Sequence, residues 1–325
     1  MRMDERLELL KRWLKSDAGL TGFDITPASS DASFRRYFRV RHGHESHIAM
    51  DAPPKKENCG LYVMVARALS SLGLNVPHIF LADLKQGFLL LSDFGVRSYL
   101  DVLDESNAGR LYGDALNALL VLQSHRDFQD DCFPPYDRQL LMNEMNLFRD
   151  WYLREHLGIT LSVRHNKVLD EVYEILILSA LEQPTVWVHR DFHSRNLMYV
   201  EKGNPGILDF QDTVIGPVTY DLVSLLRDCY IQWPHARVQV WLEEHYLRLR
   251  ENKVIERVDR SQFERWFDLM GVQRHLKAIG IFSRLNIRDG KPGYMNDIPR
   301  TLGYVMEVSA RYPELKGLNE LLGNL

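Results

Sequence analysis

One loop in this chain is dense enough in polar side chains to do chemistry. Val188-His189-Arg190-Asp191-Phe192-His193-Ser194-Arg195-Asn196-Leu197-Met198 sets a histidine, an aspartate two residues on, and an asparagine five residues after that. The apolar run Pro184-Thr185-Val186-Trp187 precedes it and Leu197 to Val200 follows, so the loop is predicted to join two short strands. Thirteen residues past Asn196, Asp209 ends a third apolar run, Gly206-Ile207-Leu208-Asp209-Phe210-Gln211. This set suits phosphoryl transfer, which needs positioning and charge neutralisation more than covalent help. Asp191 would take or orient the proton of an attacking hydroxyl. Asn196 and Asp209 would offer hard oxygens to Mg²⁺, and His189 would brace the loop. Aspartate and asparagine also close ordinary turns. The strands on both sides and the distance to Asp209-Phe210 favour the chemical reading over a plain turn.

The same residues carry a resemblance. His189-Arg190-Asp191 with Asn196, then Leu208-Asp209-Phe210, resembles the eukaryotic-type kinase core. With a second histidine at His193 and Gln211 after Asp209-Phe210, it is similar to the aminoglycoside phosphotransferase family. Whole stretches, among them Asp31-Ala32-Ser33-Phe34-Arg35-Arg36-Tyr37-Phe38-Arg39-Val40 and Gly216-Pro217-Val218-Thr219-Tyr220-Asp221-Leu222, resemble the anomeric sugar kinases that phosphorylate N-acetylmuramate and N-acetylglucosamine in peptidoglycan recycling. The resemblance implies an α+β, two-lobed, protein-kinase-like fold, with a small antiparallel-sheet N-lobe and a larger, mostly helical C-lobe. It implies ATP and Mg²⁺ as cofactors and a small amino sugar as acceptor, phosphorylated at its anomeric hydroxyl. An aminoglycoside or other small-alcohol phosphotransferase, and a non-catalytic nucleotide-binding module, stay open as alternatives. So do ATP against GTP, the preferred sugar and the oligomeric state.

Those residues need a scaffold. Leu7, Leu10, Trp13 and Leu14 recur at helical spacing, which predicts an amphipathic helix over 4–17. Phe34 to Val40 and His47 to Met50 read as antiparallel strands with a polar turn between them. Ahead of them Ala28-Ser29-Ser30-Asp31-Ala32-Ser33 stands where kinases carry a glycine-rich loop over the ATP phosphates. Ser29, Ser30 and Ser33 are the expected phosphate contacts. The strand His47-Ile48-Ala49-Met50 lacks the lysine of the kinase pattern. Arg35, Arg36, Lys55 and Lys56 are candidate replacements, with Arg36 favoured. Leu61, Val65, Leu69 and Leu72 mark a helix ended by Gly73, with Glu57 read as its acidic start. Asp93-Phe94-Gly95 lies far ahead of His189 in the chain, so it is read as closing the last strand of the small lobe. Backbone near Ser92, Asp93 and Phe94 would then meet the adenine edge.

From residue 98 onward long helical patterns take over, which divides a nucleotide-binding N-lobe, 1–97, from a helical C-lobe, 98–325, with the catalytic loop, metal site and acceptor site. Helices are expected at Leu111 to His125, Arg138 to Leu157 and Val168 to Leu181. Asp221 opens an apolar helix and is expected to accept backbone N–H bonds and hold the catalytic loop. Glu144, His193, Gln211, Arg274 and His275 are the expected acceptor contacts, since an acidic sugar wants arginine or lysine.

Composition narrows the partners. Of 325 residues, 45% are hydrophobic and 26% charged, the balance of a globular protein. The net charge of −4 supplies no basic field for nucleic acid. Three scattered cysteines without C-x-x-C spacing read as buried thiols in a reducing compartment. Met1 to Trp13 mixes acids and bases and no apolar run approaches the ~20 residues of a membrane span, so a cytoplasmic protein without membrane partners is expected.

Overall fold

The computed structural model describes residues 4–29, 34–125 and 133–324. Contacts divide the chain into two units. One takes the chain up to Arg97 together with Met198–Gln211; the other holds Ser98–Leu197 and Asp212–Leu325.

The first unit opens with helix α1 (Glu5–Ser16), whose N-cap Asp4 accepts the Leu7 N–H at 3.1 Å. Five strands follow: β1 (Asp24–Ser29), β2 (Arg36–His42), β3 (Glu45–Asp51), β4 (Ile79–Asp83) and β5 (Phe88–Ser92). They form one antiparallel sheet in the order β1-β2-β3-β5-β4. His42 pairs with Glu45, leaving a two-residue turn at Gly43-His44, with Gly43 at φ +61 as such hairpins require. Leu10, Trp13 and Leu14 of α1 bury against Phe38, Val40, Ala49, Phe88 and Leu90, with Trp13 and Phe88 ring centroids 5.7 Å apart. The run Phe88–Leu91 is buried throughout, as a strand covered on both faces must be. Helix α2 (Cys59–Ser71) lies between β3 and β4 in the chain; Asn58 caps it and Gly73, at φ +82, ends it. Strand β1 was not anticipated from sequence. Its pairing with β2 tolerates Pro27 because β1 is an edge strand and the register breaks between Pro27 and Ser29.

The second unit is mostly helical. It runs through α3 (Tyr99–Val102), α4 (Ala108–Ser124), α5 (Arg138–Leu147), α6 (Val163–Leu181) and strand β6 (Thr185–Val188). Strand β7 (Leu197–Met198) then carries the chain into Met198–Gln211, where it pairs with β8 (Gly206–Ile207). Strand β9 (Val214–Pro217) returns and pairs antiparallel with β6, Val188 opposite Val214. Helices α7 (Tyr220–Leu226), α8 (His235–Glu251), α9 (Arg260–Asp289), α10 (Ile298–Arg311) and α11 (Lys316–Gly323) complete it. Helix α9 is the centre of this unit. Its 30 residues extend about 45 Å at 1.5 Å each, and α5, α6, α7 and α10 all pack on it. Gly280 makes one crossing possible: a Cβ there would lie 2.3 Å from the Leu147 carbonyl carbon. At that crossing α5 passes into a π-helical stretch, Phe148–His156, so the single helix expected over 138–157 is really two hydrogen-bonding patterns in series.

Candidate active site

Strand β6 delivers the chain to the polar loop, and α7 holds it there. The backbone N–H groups of His189 and Arg190 donate to the two carboxylate oxygens of Asp221, at 2.6 and 3.0 Å. Arg190 sits at φ +76, a conformation costing on the order of 1–3 kcal/mol in a non-glycine residue and concentrated at functional sites. His189 is buried, and its Nδ1 accepts the Asp191 N–H at 3.2 Å, which fixes that nitrogen as the unprotonated one. Asn196 donates its side-chain N–H to the Asp191 carbonyl at 3.0 Å, tying the two polar ends of the motif together. Asp228 accepts from the Ser194 N–H at 2.8 Å and from the Tyr230 N–H at 2.8 Å, anchoring the far side of the loop. Three loop amides, those of His189, Arg190 and Ser194, are thus pinned by two carboxylates from outside it.

Charge gathers around Asp191. Burial by itself would raise its carboxyl, but Lys277, His193, Arg190 and Arg274 outweigh that and hold it below the ordinary carboxylate range. The side chain keeps 39% of its exposure, so the carboxylate is both ionised and reachable. Lys277 of α9 is buried and donates to the Tyr220 hydroxyl at 2.9 Å, with Glu144 at 3.1 Å. His193 stands 4.0 Å from Asp191, its ring against Tyr230, and burial lowers its pKa so that it is neutral at pH 7.

The expected acceptor contacts separate on inspection. Glu144 does reach the loop, but as a buried anchor: it is 5% exposed and accepts from Tyr136, Arg190 and Gln273 besides Lys277. Arg274 is also brought to the loop. Its guanidinium is buried, lies 3.6 Å from the Cys229 sulfur and acts electrostatically on Asp191. His275, one residue on, turns elsewhere: its Nε2 is 2.9 Å from the Arg227 carbonyl and its ring stacks on Tyr304 at 4.9 Å. It is a core residue, because adjacent positions on a helix face different directions.

In the first unit, Asp209 holds φ +61, and Gln211 donates to its carboxylate at 2.6 Å. Of the three non-glycine residues with positive φ among the described residues, two, Arg190 and Asp209, belong to the motif. Gln211 therefore stands as a brace on Asp209. Arg36, expected toward the nucleotide, is instead committed: its guanidinium lies 2.5 Å from the fully buried Asp51 and also pairs with Asp4. Arg35 is the cation joined to Glu57, at 2.9 Å. Glu57 also accepts the Phe34 N–H, so its expected role at the start of α2 falls to Asn58. Asp93 closes the end of the sheet, bonded to Arg39 at 2.6 and 3.0 Å and to the Gly95 N–H at 2.9 Å. Ser92 accepts the His78 N–H at 2.9 Å, and the Phe94 ring packs on Gly206. Ser30 and Ser33 lie outside the described residues, as does the side chain of Ser29 at the end of β1.

Asn196 and Asp209 carry only hard oxygen donors, and no three His, Cys, Asp or Glu residues gather into a metal cage among the described residues. Each of these side chains by itself suits Mg²⁺, which takes one or two protein oxygens and completes its shell with phosphate and water. Sequence reasoning missed Asp228 and Tyr230. They arrive by packing from later elements, and nothing in their local sequence marks them.

A family model described as the phosphotransferase enzyme family matches residues 24–253, which include the whole motif. The chain belongs to that family. It is a phosphotransferase with a kinase-like α+β fold. A relative from Pseudomonas putida named N-acetylmuramate/N-acetylglucosamine kinase is 46% identical, over 99% of this chain and 94% of its own length. One of the same name from Neisseria meningitidis is 40% identical, over 97% and 95%. Among solved structures, choline kinase LicA from Streptococcus pneumoniae aligns with a TM-score of 0.64 at 12% identity, covering 95% of this chain and all of the other. The ADP-bound aminoglycoside phosphotransferase APH(2'')-Ib aligns at 0.61 and 15%, over 94% and 98%. These structural likenesses carry the fold. No described helix is long and apolar enough to cross a membrane.

Proposed function

We propose that this phosphotransferase is an ATP-dependent sugar kinase. It transfers the γ-phosphoryl group to the anomeric hydroxyl of N-acetylmuramate or N-acetylglucosamine, giving the sugar 1-phosphate for cell-wall recycling in the cytoplasm. The observation that carries this reading is the likeness to relatives of that name, at 40–47% identity over nearly the full chain.

In this reading Asp191 receives the proton of the sugar's C1 hydroxyl as that oxygen attacks the γ-phosphorus. The proton leaves oxygen for carboxylate while the bond to the leaving ADP breaks. An anomeric hydroxyl is more acidic than an ordinary alcohol, so a carboxylate of low pKa suffices as base. The cations around Asp191 keep it ionised for the task. Asn196 and Asp209 are the residues that would hold Mg²⁺, which would neutralise phosphate charge. Arg35, ion-paired with Glu57, stands in for the absent strand lysine. Backbone near Ser92 to Phe94 meets the adenine edge. A polycationic aminoglycoside would meet Arg195, Arg274 and Lys277 in the second unit, which disfavours it as acceptor.

The test is turnover against a panel of amino sugars, aminoglycosides and choline-like alcohols, with ³¹P NMR locating the new phosphate. A sugar 1-phosphate is expected; phosphate on an aminoglycoside, or none on any acceptor, would overturn the reading. Asp191→Asn should retain ATP binding by titration while kcat falls roughly 10²–10⁴-fold.

A further inference from the structure

We propose that Arg195 reads the acceptor's negative charge, binding the lactyl carboxylate that distinguishes N-acetylmuramate from N-acetylglucosamine. The proposal rests on the sugar-kinase reading above and adds to it the residue that would set the preference between the two sugars.

Arg195 sits on the catalytic loop, four residues after Asp191. Its backbone is fixed on both sides. The Ser194 N–H donates to Asp228 at 2.8 Å, and the Asn196 N–H donates to the His193 carbonyl at 2.9 Å. The guanidinium carbon lies 4.7 Å from the Tyr230 ring centroid and 5.2 Å from that of Tyr294. Tyr294 in turn stacks on Phe282 at 5.6 Å, nearly parallel at 21°. The two tyrosines set the plane of the guanidinium; one N–H is engaged by the Tyr230 side chain, and ring contacts of this kind leave the other N–H groups to a further acceptor.

The other cations of the site have occupations. Arg190 pairs with Glu144, Lys277 bonds Tyr220 and Glu144, and Arg274 is buried beside Cys229. Arg195 is exposed, and no carboxylate of the described residues forms an ion pair with it. Asp297, whose charge it feels, pairs with Arg300 at 3.0 Å. A planar, pre-oriented guanidinium on the same rigid loop as the base matches a carboxylate two-pronged. Holding it between two rings in advance reduces the side-chain freedom lost on binding. Aromatic faces beside it suit the apolar edges of a sugar ring.

The experiment compares kcat/KM for N-acetylmuramate, its lactyl amide and N-acetylglucosamine in wild type, Arg195→Gln, Arg195→Lys and Tyr294→Leu. Arg195→Gln is expected to cost N-acetylmuramate at least about tenfold more than N-acetylglucosamine, the worth of one hydrogen-bonded charge pair. The lactyl amide should lose a similar factor with wild type and respond little to the substitution. Arg195→Lys should recover part of the preference, since it keeps charge without the fork. Tyr294→Leu, which loosens the guanidinium without removing it, should shift the ratio the same way by less. Equal losses on all three acceptors would overturn the proposal and make Arg195 a support of the loop. Wild-type protein inert toward both sugars would sink the sugar-kinase reading and this proposal together.

Discussion

Two aspartates on either side of one short loop are driven in opposite directions. Asp191 is held low by the cations around it, whereas burial pushes Asp221 up to about 7, against hydrogen bonds from the His189 and Arg190 amides. A protonated Asp221 accepts less well from two amides at once, so the loop loses part of its hold as pH falls through about 7. The acid limb of kcat should therefore report Asp221, with Asp191 ionised throughout. Stability should run the other way. A carboxyl raised above its unfolded value, ~3.9, binds protons more tightly when folded, so its contribution grows below pH 7 and is lost above. Urea titrations at pH 8 and pH 6 should show wild type gaining on Asp221→Asn at the lower pH while kcat declines. A wild-type kcat flat between pH 8 and 6 would contradict this. The motif that carries the proposed chemistry was legible because it is local and short. Its anchors were legible only in part: Asp221 could be found from its place at a helix start, but Asp228 carries no such sign.

Among the elements, α9 departs furthest from what its sequence suggests. Arg274 and His275 read as ligand-facing, yet both are buried, as are Gln273 and Lys277 beside them. Helix amphipathicity misleads where a helix is enclosed on every side and its polar groups are paired internally. Gly280 shows the same enclosure. Gly280→Ala would press a methyl group into the backbone at Leu147 and Phe148 and should destabilise the protein by roughly 1–3 kcal/mol or more. Gly303→Ala on α10, where nothing lies within 4 Å, serves as control and should be neutral or stabilising by up to ~1 kcal/mol. Melting temperatures of the two variants decide the matter; equal shifts would mean that the crossing at Gly280 is not tight.

For the molecule as a whole, each unit has a buried carboxylate at its structural centre. Asp51 fastens α1 to the sheet through Arg6 and Arg36. Asp268 of α9 accepts from Arg227 at 2.7 Å, Arg311 at 3.0 Å and the Tyr312 hydroxyl at 2.7 Å. Asp268→Asn would leave the buried Arg227 uncompensated, a change expected to cost about 3–5 kcal/mol in urea denaturation. The KM for the acceptor should not move, since none of these groups touches the loop. A variant as stable as wild type would show that the cluster contributes little. The change from strand patterns to helical ones near residue 98 was legible in the sequence. The return of Met198–Gln211 to the first unit was not, because two short apolar runs flanking a turn say nothing about which body they join.

That return has a bearing on how such enzymes can be cut and recombined. Asn75 bonds the Gly203 carbonyl at 2.9 Å and accepts the Ile207 N–H at 2.8 Å, and Phe94 packs on Gly206. A fragment ending at Arg97 would be missing those partners and Asp209 with them. A chimera that borrows the sheet from one relative and the helices from another therefore needs three splice points rather than one, and a library built on a single crossover will mostly yield mismatched proteins.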